Sequence, residues 1–299
     1  MDILLTGGTG LLGRALCAAL GKAGHQLSVL SRRPDHVAAR CGREVRALGS
    51  LDEWLPSQHF DAVINLAGAP IIDWPWTAAR KQLIWASRVG ATERLVAAIQ
   101  RAERKPRVLL SGSAIGYYGD CGDTPCSDAT ATAIAHDFGA RLCTAWEAAA
   151  RQLDDSSVRV CLLRTGLVLA QEGGLLARMR LPFLLGMGGK LGDGQQWMSW
   201  IQREDWVAAV LHLLQDETAR GAFNLVSPQP VRNAAFTAAL AAALNRPAIL
   251  PMPASVLKLL LGDRAYLLLG GQQVLPARLL AAGFHFTHPE IAEALQASL

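Results

Sequence analysis

The chain has 299 residues, 51% of them hydrophobic and 18% charged, with a formal net charge of +4. Such a composition buries a large core and excludes a disordered chain, while a mild charge without a long basic run speaks against nucleic acid or an anionic membrane as partner. The longest apolar candidate for a membrane span, Leu257 to Leu269, is broken by Gly262, Asp263 and Arg264, and no leader-like segment precedes the first predicted strand, so a soluble, cytoplasmic protein is expected.

The first element predicted is a buried strand, Met1 to Leu5, running directly into Thr6-Gly7-Gly8-Thr9-Gly10-Leu11-Leu12-Gly13 and a helix from Leu11 to Ala23. In a strand-to-helix turn of this kind Gly7 permits the tight turn, Gly10 lets backbone N–H groups approach a pyrophosphate, and Gly13 lets the helix pack on the strand. Thr6, Gly7, Gly10, Leu11, Leu12 and Gly13 are therefore candidate cofactor-binding residues, with the phosphate at a helix N-terminus. The turn lacks the Gly-Lys-Ser/Thr ending of a nucleoside-triphosphate loop. A second strand, Gln26 to Leu30, follows at βαβ spacing and ends in Ser31-Arg32-Arg33-Pro34. An acidic residue there would hold a ribose 2′-hydroxyl, so its absence beside two guanidinium groups favours NADP over NAD, with a solvated basic loop as the alternative.

Further apolar runs, Ala62 to Leu66, Arg107 to Ser111 and Val158 to Arg164, alternate with helical patterns at Thr77 to Arg104 and Asp137 to Leu153. That rhythm predicts a Rossmann-type, doubly wound parallel sheet with the ligand along its C-terminal edge, near Gly7, Arg32, Asn65 to Gly68 and Ser111 to Tyr118. Residues 1–170 read as the nucleotide-binding domain, with a later strand from about 222–226, and 171–299 as a smaller, mostly helical substrate-side lobe. In that lobe, helices at Phe236 to Leu244 and Ser255 to Leu261 read as core. The stretch Gly194 to Ile201, with Trp197 and Trp200, suits either a small polar ligand or a structural tryptophan pair. Asp205 is the expected N-cap of a helix Trp206 to Gln215, and Asp120, Asp123 and Asp128 read as a solvated acidic loop.

Six cysteines lie scattered without a CxxC pair and are expected to be reduced, with Cys121 and Cys126 placed to meet across a loop. His285-x-x-His288 has no evident third ligand, so no metal site is expected.

The turn Gly7 to Gly13, Asn65-Leu66-Ala67-Gly68 and Ser111-Gly112-Ser113-Ala114 together resemble the extended short-chain dehydrogenase/reductases, the NAD(P)-dependent sugar epimerase-like enzymes. The resemblance is closer to an atypical epimerase-like subgroup, some of whose members carry a cell-division-inhibitor label. Its marks here are Trp76-Thr77, Ser87-Arg88, Gly116-Tyr117-Tyr118-Gly119, Trp146-Glu147, Ser199-Trp200-Ile201, Asn224, Pro230-Val231, Gln272 and Gly283-Phe284. It implies cofactor contacts at Leu66, Ala67 and Gly68 besides Ser31, Arg32 and Arg33, a substrate-binding hydroxyl at Ser113, and pairing into homodimers. Ordinary members carry Tyr-x-x-x-Lys on the helix after the fifth strand as acid/base pair; aligned on that helix, Phe138 and Leu142 take those places. Tyr117 and Tyr118 are then the phenols left to serve as proton donor. Arg88 would meet either a cofactor phosphate or the carboxylates of Glu93 or Asp73, and Arg164-Thr165 points toward the substrate side. The resemblance implies an NADP-dependent oxidoreductase or epimerase-like enzyme acting on a small carbonyl or sugar-like substrate; loss of Tyr-x-x-x-Lys leaves a non-catalytic NADP-binding regulator or scaffold as the alternative.

Overall fold

The computed structural model describes residues 1–131, 137–153 and 157–299. Its first half alternates strand and helix: β1 (Asp2–Thr6), α1 (Leu11–Lys22), β2 (Gln26–Leu30), α2 (Val37–Cys41), β3 (Arg46–Leu48), β4 (Ala62–Asn65), α3 (Ala78–Trp85), α4 (Ala91–Arg101), β5 (Val108–Ala114), a two-residue β6 (Pro125–Cys126), α5 (Phe138–Arg151) and β7 (Arg159–Thr165). Thereafter come β8 (Leu167–Leu169), α6 (Gly174–Leu184), β9 (Trp197–Met198), β10 (Trp200–Gln202), α7 (Arg203–Gln215), β11 (Gly221–Leu225), β12 (Val231–Arg232), α8 (Asn233–Ala243), α9 (Ala254–Leu261), α10 (Tyr266–Leu269), β13 (Gln273–Val274), α11 (Ala277–Ala281) and α12 (Ile291–Ala297).

Among the described residues, seven strands form one sheet in the order β11-β7-β5-β4-β1-β2-β3, every pair parallel. Strands covered on both faces must be apolar throughout, which is why Ile3, Leu4 and Leu5 are all fully buried. Leu16, Leu20, Trp206 and Val210 of α1 and α7 fill one face, while Leu95, Ile99 and Ala150 of α4 and α5 fill the other. The strand order reverses between β1 and β4, and at such a switch point the loops leave the sheet on opposite sides and open a crevice at its C-terminal edge.

After β8 the chain builds a lobe of α6, α8 and α12 around Trp200 and Phe236, with α7 and β11 returning to the main sheet between them. Two sequence expectations need correction here. The pattern from Thr77 to Arg104 is α3 and α4 joined by a π-helical turn, Ala86–Gly90, which places Arg88 off the regular helical track. The helix α9 is not core: only Leu257 is buried, whereas Leu259 is 85% exposed and Leu260 65%.

Candidate functional site

The glycine turn is built as its sequence requires. Gly7 has φ +74°, and a Cβ on it would stand 2.6 Å from the Leu66 carbonyl carbon; a Cβ on Gly13 would stand 2.2 Å from the Gly7 oxygen. The turn is closed by Gly10 N–H donating to Gly7 O at 3.0 Å. Gly10 is also the N-cap of α1 and offers no side chain, so the first-turn amides of Leu11, Leu12 and Gly13 have neither an intrahelical carbonyl nor a capping group to bond. Thr6 works beneath the turn: its hydroxyl donates to Asn65 Oδ1 at 2.7 Å and accepts from the Ala67 amide at 3.2 Å. Asn65 in turn donates to Thr92 Oγ1 at 2.8 Å, which also receives the Trp146 indole N–H at 3.0 Å. A buried polar chain thus fixes the Asn65 to Gly68 loop against the glycine turn.

At the end of β2, Ser31 folds its hydroxyl onto the Arg33 amide at 3.2 Å. Arg32 and Arg33 are exposed, and neither forms an ion pair among the described residues. The structure adds Arg40 of α2, whose Nη1 reaches the Thr9 carbonyl of the glycine turn at 3.5 Å. Sequence reading missed it, since no local motif marks a helix residue that folds back on the turn.

Arg88 approaches from the π turn. Its Nη1 donates to Ala69 O at 2.9 Å, while Ser87 Oγ accepts the Ala69 amide at 3.0 Å, so the two residues grip the loop after Gly68. The guanidinium lies against Gly68, where a Cβ would come within 2.9 Å of its Cζ, and 5.4 Å from the Trp146 ring centroid. Neither expected carboxylate partner is used: Asp73 pairs with Arg178, and no ion pair joins Arg88 to Glu93. Burial lowers the Arg88 pKa, as it must for a cation with little compensation.

The strand end of β5 holds the second half of the site. Ser113 Oγ donates to Glu147 Oε1 at 2.8 Å, and Glu147, wholly buried, is gripped by Arg164 through Nε at 2.7 Å and Nη2 at 2.9 Å. Arg151 closes on the other oxygen at 3.2 Å. Arg164 Nη1 donates to Tyr118 Oη at 2.9 Å, and Tyr118 passes its own proton to Asn224 Oδ1 at 2.7 Å. Burial first of all pushes the Tyr118 phenol up to about 12. Tyr117 stacks on Arg164, whose Cζ is 3.5 Å from the ring centroid, and its ring remains half-buried. The two tyrosines are therefore different in kind: Tyr118 is 1% exposed with its hydroxyl fully engaged, and Tyr117 lies above it.

The α5 residues aligned with the missing pair, Phe138 and Leu142, both pack in apolar surroundings. Phe138 packs edge-on to Trp76 at 5.1 Å, and Leu142 lies in the apolar cluster of Ile84, Val89 and Trp146. The stripe of α5 that faces that end is Gly139, Cys143 and Glu147, four residues apart, for a Cβ on Gly116 would meet Cys143 Sγ at 3.7 Å and Glu147 holds Ser113. Neither Gly139 nor Cys143 on that stripe carries a phenol or an ammonium group. Burial, with the Glu147 carboxylate second, pushes the Cys143 thiol up to about 12.

Other sequence expectations fall into the frame of the protein. Trp200 is buried and donates to Gln229 O at 3.1 Å, and Trp197 is pinned to Asp123 at 3.1 Å under Arg232. Asp128 is not solvated but 7% exposed, accepting the amides of Asn224 at 2.5 Å and Arg278 at 2.9 Å. Asp205 is not the N-cap of α7, which is Gln202; its carboxylate ties down the amides of Thr287 and His288 at 2.7 and 2.9 Å.

A glycine turn under an uncapped helix, at the switch point of a parallel seven-stranded sheet, defines a Rossmann-type dinucleotide-binding architecture. The family model for the NAD dependent epimerase/dehydratase family matches residues 3–225, and a domain of unknown function, DUF1731, matches 252–298. This chain belongs to the NAD dependent epimerase/dehydratase family. It is 38% identical to the epimerase family protein Mb2239 of Mycobacterium bovis, over 98% of this chain and 96% of that one. It is 37% identical to the epimerase family protein SDR39U1 of Bos taurus, over 99% of both. Among solved structures, human epimerase family protein SDR39U1 (isoform 2), crystallised with NADPH, superposes with a TM-score of 0.91 at 35% identity, covering 100% of this chain and 99% of that one. A UDP-galactose 4-epimerase, at 16% identity and a TM-score of 0.77, shares the fold.

Proposed function

We propose that this chain is an NADP-dependent, epimerase-like oxidoreductase that acts on a small carbonyl or sugar-like substrate. The observation that carries the reading is the uncapped α1 terminus beside a β2 end that offers Arg32 and Arg33 and no carboxylate. A dinucleotide suits the residues present, because the cradle over Gly7 and Gly13 admits no Cβ and, among the described residues, no side chain caps the first turn of α1. The human relative crystallised with NADPH supports the choice of cofactor. Leu11, Leu12 and Gly13 would hold the pyrophosphate through their amides, Arg32 and Arg33 the 2′-phosphate, and Leu66 to Gly68 with Arg88 the side nearer the reacting ring. The cofactor, when bound, supplies or accepts a hydride.

The chain's own residues then have to handle a proton without Tyr-x-x-x-Lys. Ser113 spends its hydroxyl proton on Glu147, so toward a ligand it presents lone pairs and accepts from a substrate hydroxyl. Tyr117, stacked on Arg164, is the phenol assigned to donate, because the Tyr118 hydroxyl is engaged by Arg164 and Asn224. Tyr118 acts as a positioning residue, holding Arg164 from below. The non-catalytic reading rests on Phe138 and Leu142, which cannot replace tyrosine and lysine. Fluorescence titration of the purified protein with NADPH and NADH tests the cofactor: a preference for NADPH that Arg32→Ala removes is expected, and equal affinity for both would sink it. NADPH consumption across a panel of small aldehydes, ketones and keto-sugars, abolished by Tyr117→Phe and little changed by Cys143→Ala, separates the enzyme from the scaffold.

A further inference from the structure

Residues 174–191 and 245–262 contain Arg178, Arg180, Lys190, Arg246 and Lys258 and no Asp or Glu. The fold brings the two segments together: Leu250 N–H donates to Gly188 O at 3.1 Å, Met252 N–H to Lys190 O at 2.9 Å, and Arg246 Nε to Leu184 O at 3.2 Å. Around that seam the large apolar side chains point outward. Leu181 and Leu185 are each 63% exposed, Met187 54%, Ile249 74%, Leu259 85% and Leu260 65%.

Summed over the two segments, these six side chains expose on the order of 700 Å² of apolar surface. The charges on the two segments have one sign. Arg246 is held at the end of α6, Lys190 stands with Ile249 and Pro251 around a hollow of about 320 Å³, and Lys258 lies on α9 beside Leu259. Arg178 is paired with Asp73; of the carboxylates that flank the two segments, Asp193 is turned onto the Gln195 amide at 2.9 Å, Asp263 is paired with Lys81 at 2.8 Å and Glu172 with Arg203 at 2.6 Å. A second copy docked symmetrically on this face would set the group Lys190, Arg246 and Lys258 against the same group, with no carboxylate of the two segments to answer it. An anionic lipid surface answers both features, taking the leucines into the acyl boundary and the cations onto the headgroup phosphates. The cations lie on two segments that meet only in the fold, so the sequence shows no basic run and gave the opposite expectation.

We propose that the face formed by the end of α6, residues 246–252 and α9 docks peripherally on anionic lipid bilayers. The test is flotation of the full chain with vesicles of phosphatidylcholine alone and of equimolar phosphatidylcholine and phosphatidylglycerol. Recovery with the anionic vesicles at low salt, lost at high salt and abolished by the double substitution Leu259→Asp, Leu260→Asp, is expected. Lys258→Glu should lower partitioning on the order of tenfold. All three side chains are exposed, so circular dichroism and the NADPH titration should match the parent protein. Failure to float, flotation indifferent to these substitutions, or a stable dimer in sedimentation that the double substitution dissociates would each overturn the proposal; loss of NADPH binding alone would not touch it.

Discussion

Ser113 and Glu147 share a proton across 2.8 Å at the buried end of β5, and the oxygen that accepts it is the one Arg164 Nε holds at 2.7 Å. The serine is thereby locked into one orientation by an ion pair that water does not reach. Removing one partner of such a pair strands the other charge, which typically costs about 3–5 kcal/mol. Arg164→Met should therefore destabilise the fold by that order in urea unfolding, with Arg151 recovering only a fraction. Adding Glu147→Leu to it should restore part of the loss, because the stranded carboxylate is gone. A single-variant cost within about 0.5 kcal/mol, the range of ordinary surface substitutions, would show that the network contributes little.

Gly13 has a second, sharper expectation. A methyl group there would sit 2.2 Å from the Gly7 carbonyl, backbone that cannot swing aside. Gly13→Ala should cost about 1–3 kcal/mol of stability from overpacking and abolish saturable NADPH binding, since the turn must open to admit the methyl. Gly21→Ala is the control: nothing lies within 4 Å of its Cβ, and a helical glycine replaced by alanine gains about 0.5–1 kcal/mol. Calorimetry and a cofactor titration on both variants would separate steric from propensity effects.

How much could be read in advance follows from how local each feature is. The strand, turn and helix from Asp2 to Lys22 rest on contacts within one βαβ unit, and the sequence boundaries agree with the observed ones to within a residue. The end of β5 at Ala114 was hidden, because Gly112 and Ser113 are poor strand formers kept extended by pairing with Leu163 and Arg164 of β7. Tyr117 and Tyr118 are adjacent and chemically identical in sequence; the partners of the Tyr118 hydroxyl that distinguish them include Asn224 and Arg164, remote along the chain. Asp128 reads as one more loop carboxylate until β11 and α11 deliver the amides that bury it. The outward face of α9 could not be told from a core helix, since leucine content states a preference and not a neighbour.

The thiols give a test of the packing around the site. Burial raises the pKa of Cys17 and Cys41, and pushes Cys126 up to about 12, Cys143 to about 12 and Cys161 to about 11, so these sulfurs remain protonated as well as shielded. Cys121 alone of the six is not buried, its Sγ donating to Tyr118 O at 3.4 Å. A disulfide reagent should titrate one thiol in the native protein and six after denaturation, with the fast phase absent from Cys121→Ser. If Cys143 reacted at a comparable rate, the stripe of α5 facing β5 would be open to solvent.

Alkaline titration reads the buried phenol directly. Tyr118 is raised from an ordinary 10.0 to about 12, first by burial, against the lowering effect of Arg164. An ionised phenolate is favoured less in the folded chain than in the unfolded one. The stabilisation is therefore fully present below about pH 10, declines as the unfolded phenol ionises, and is lost as the pH passes the folded value near 12. Tyr118→Phe should lower stability at pH 7 by about 1–3 kcal/mol, because Asn224 Oδ1 loses its buried donor, and should flatten the fall of stability above pH 10. Burial, with the Asp137 carboxylate second, also raises the Tyr266 phenol, so absorbance at the phenolate band should show two of the three tyrosines titrating late, and Tyr118→Phe should remove one of those two late steps. A Tyr118→Phe protein with an unchanged alkaline slope would mean that the ring is not sealed in the folded state, and Arg164 would then have water as its partner in place of a phenol.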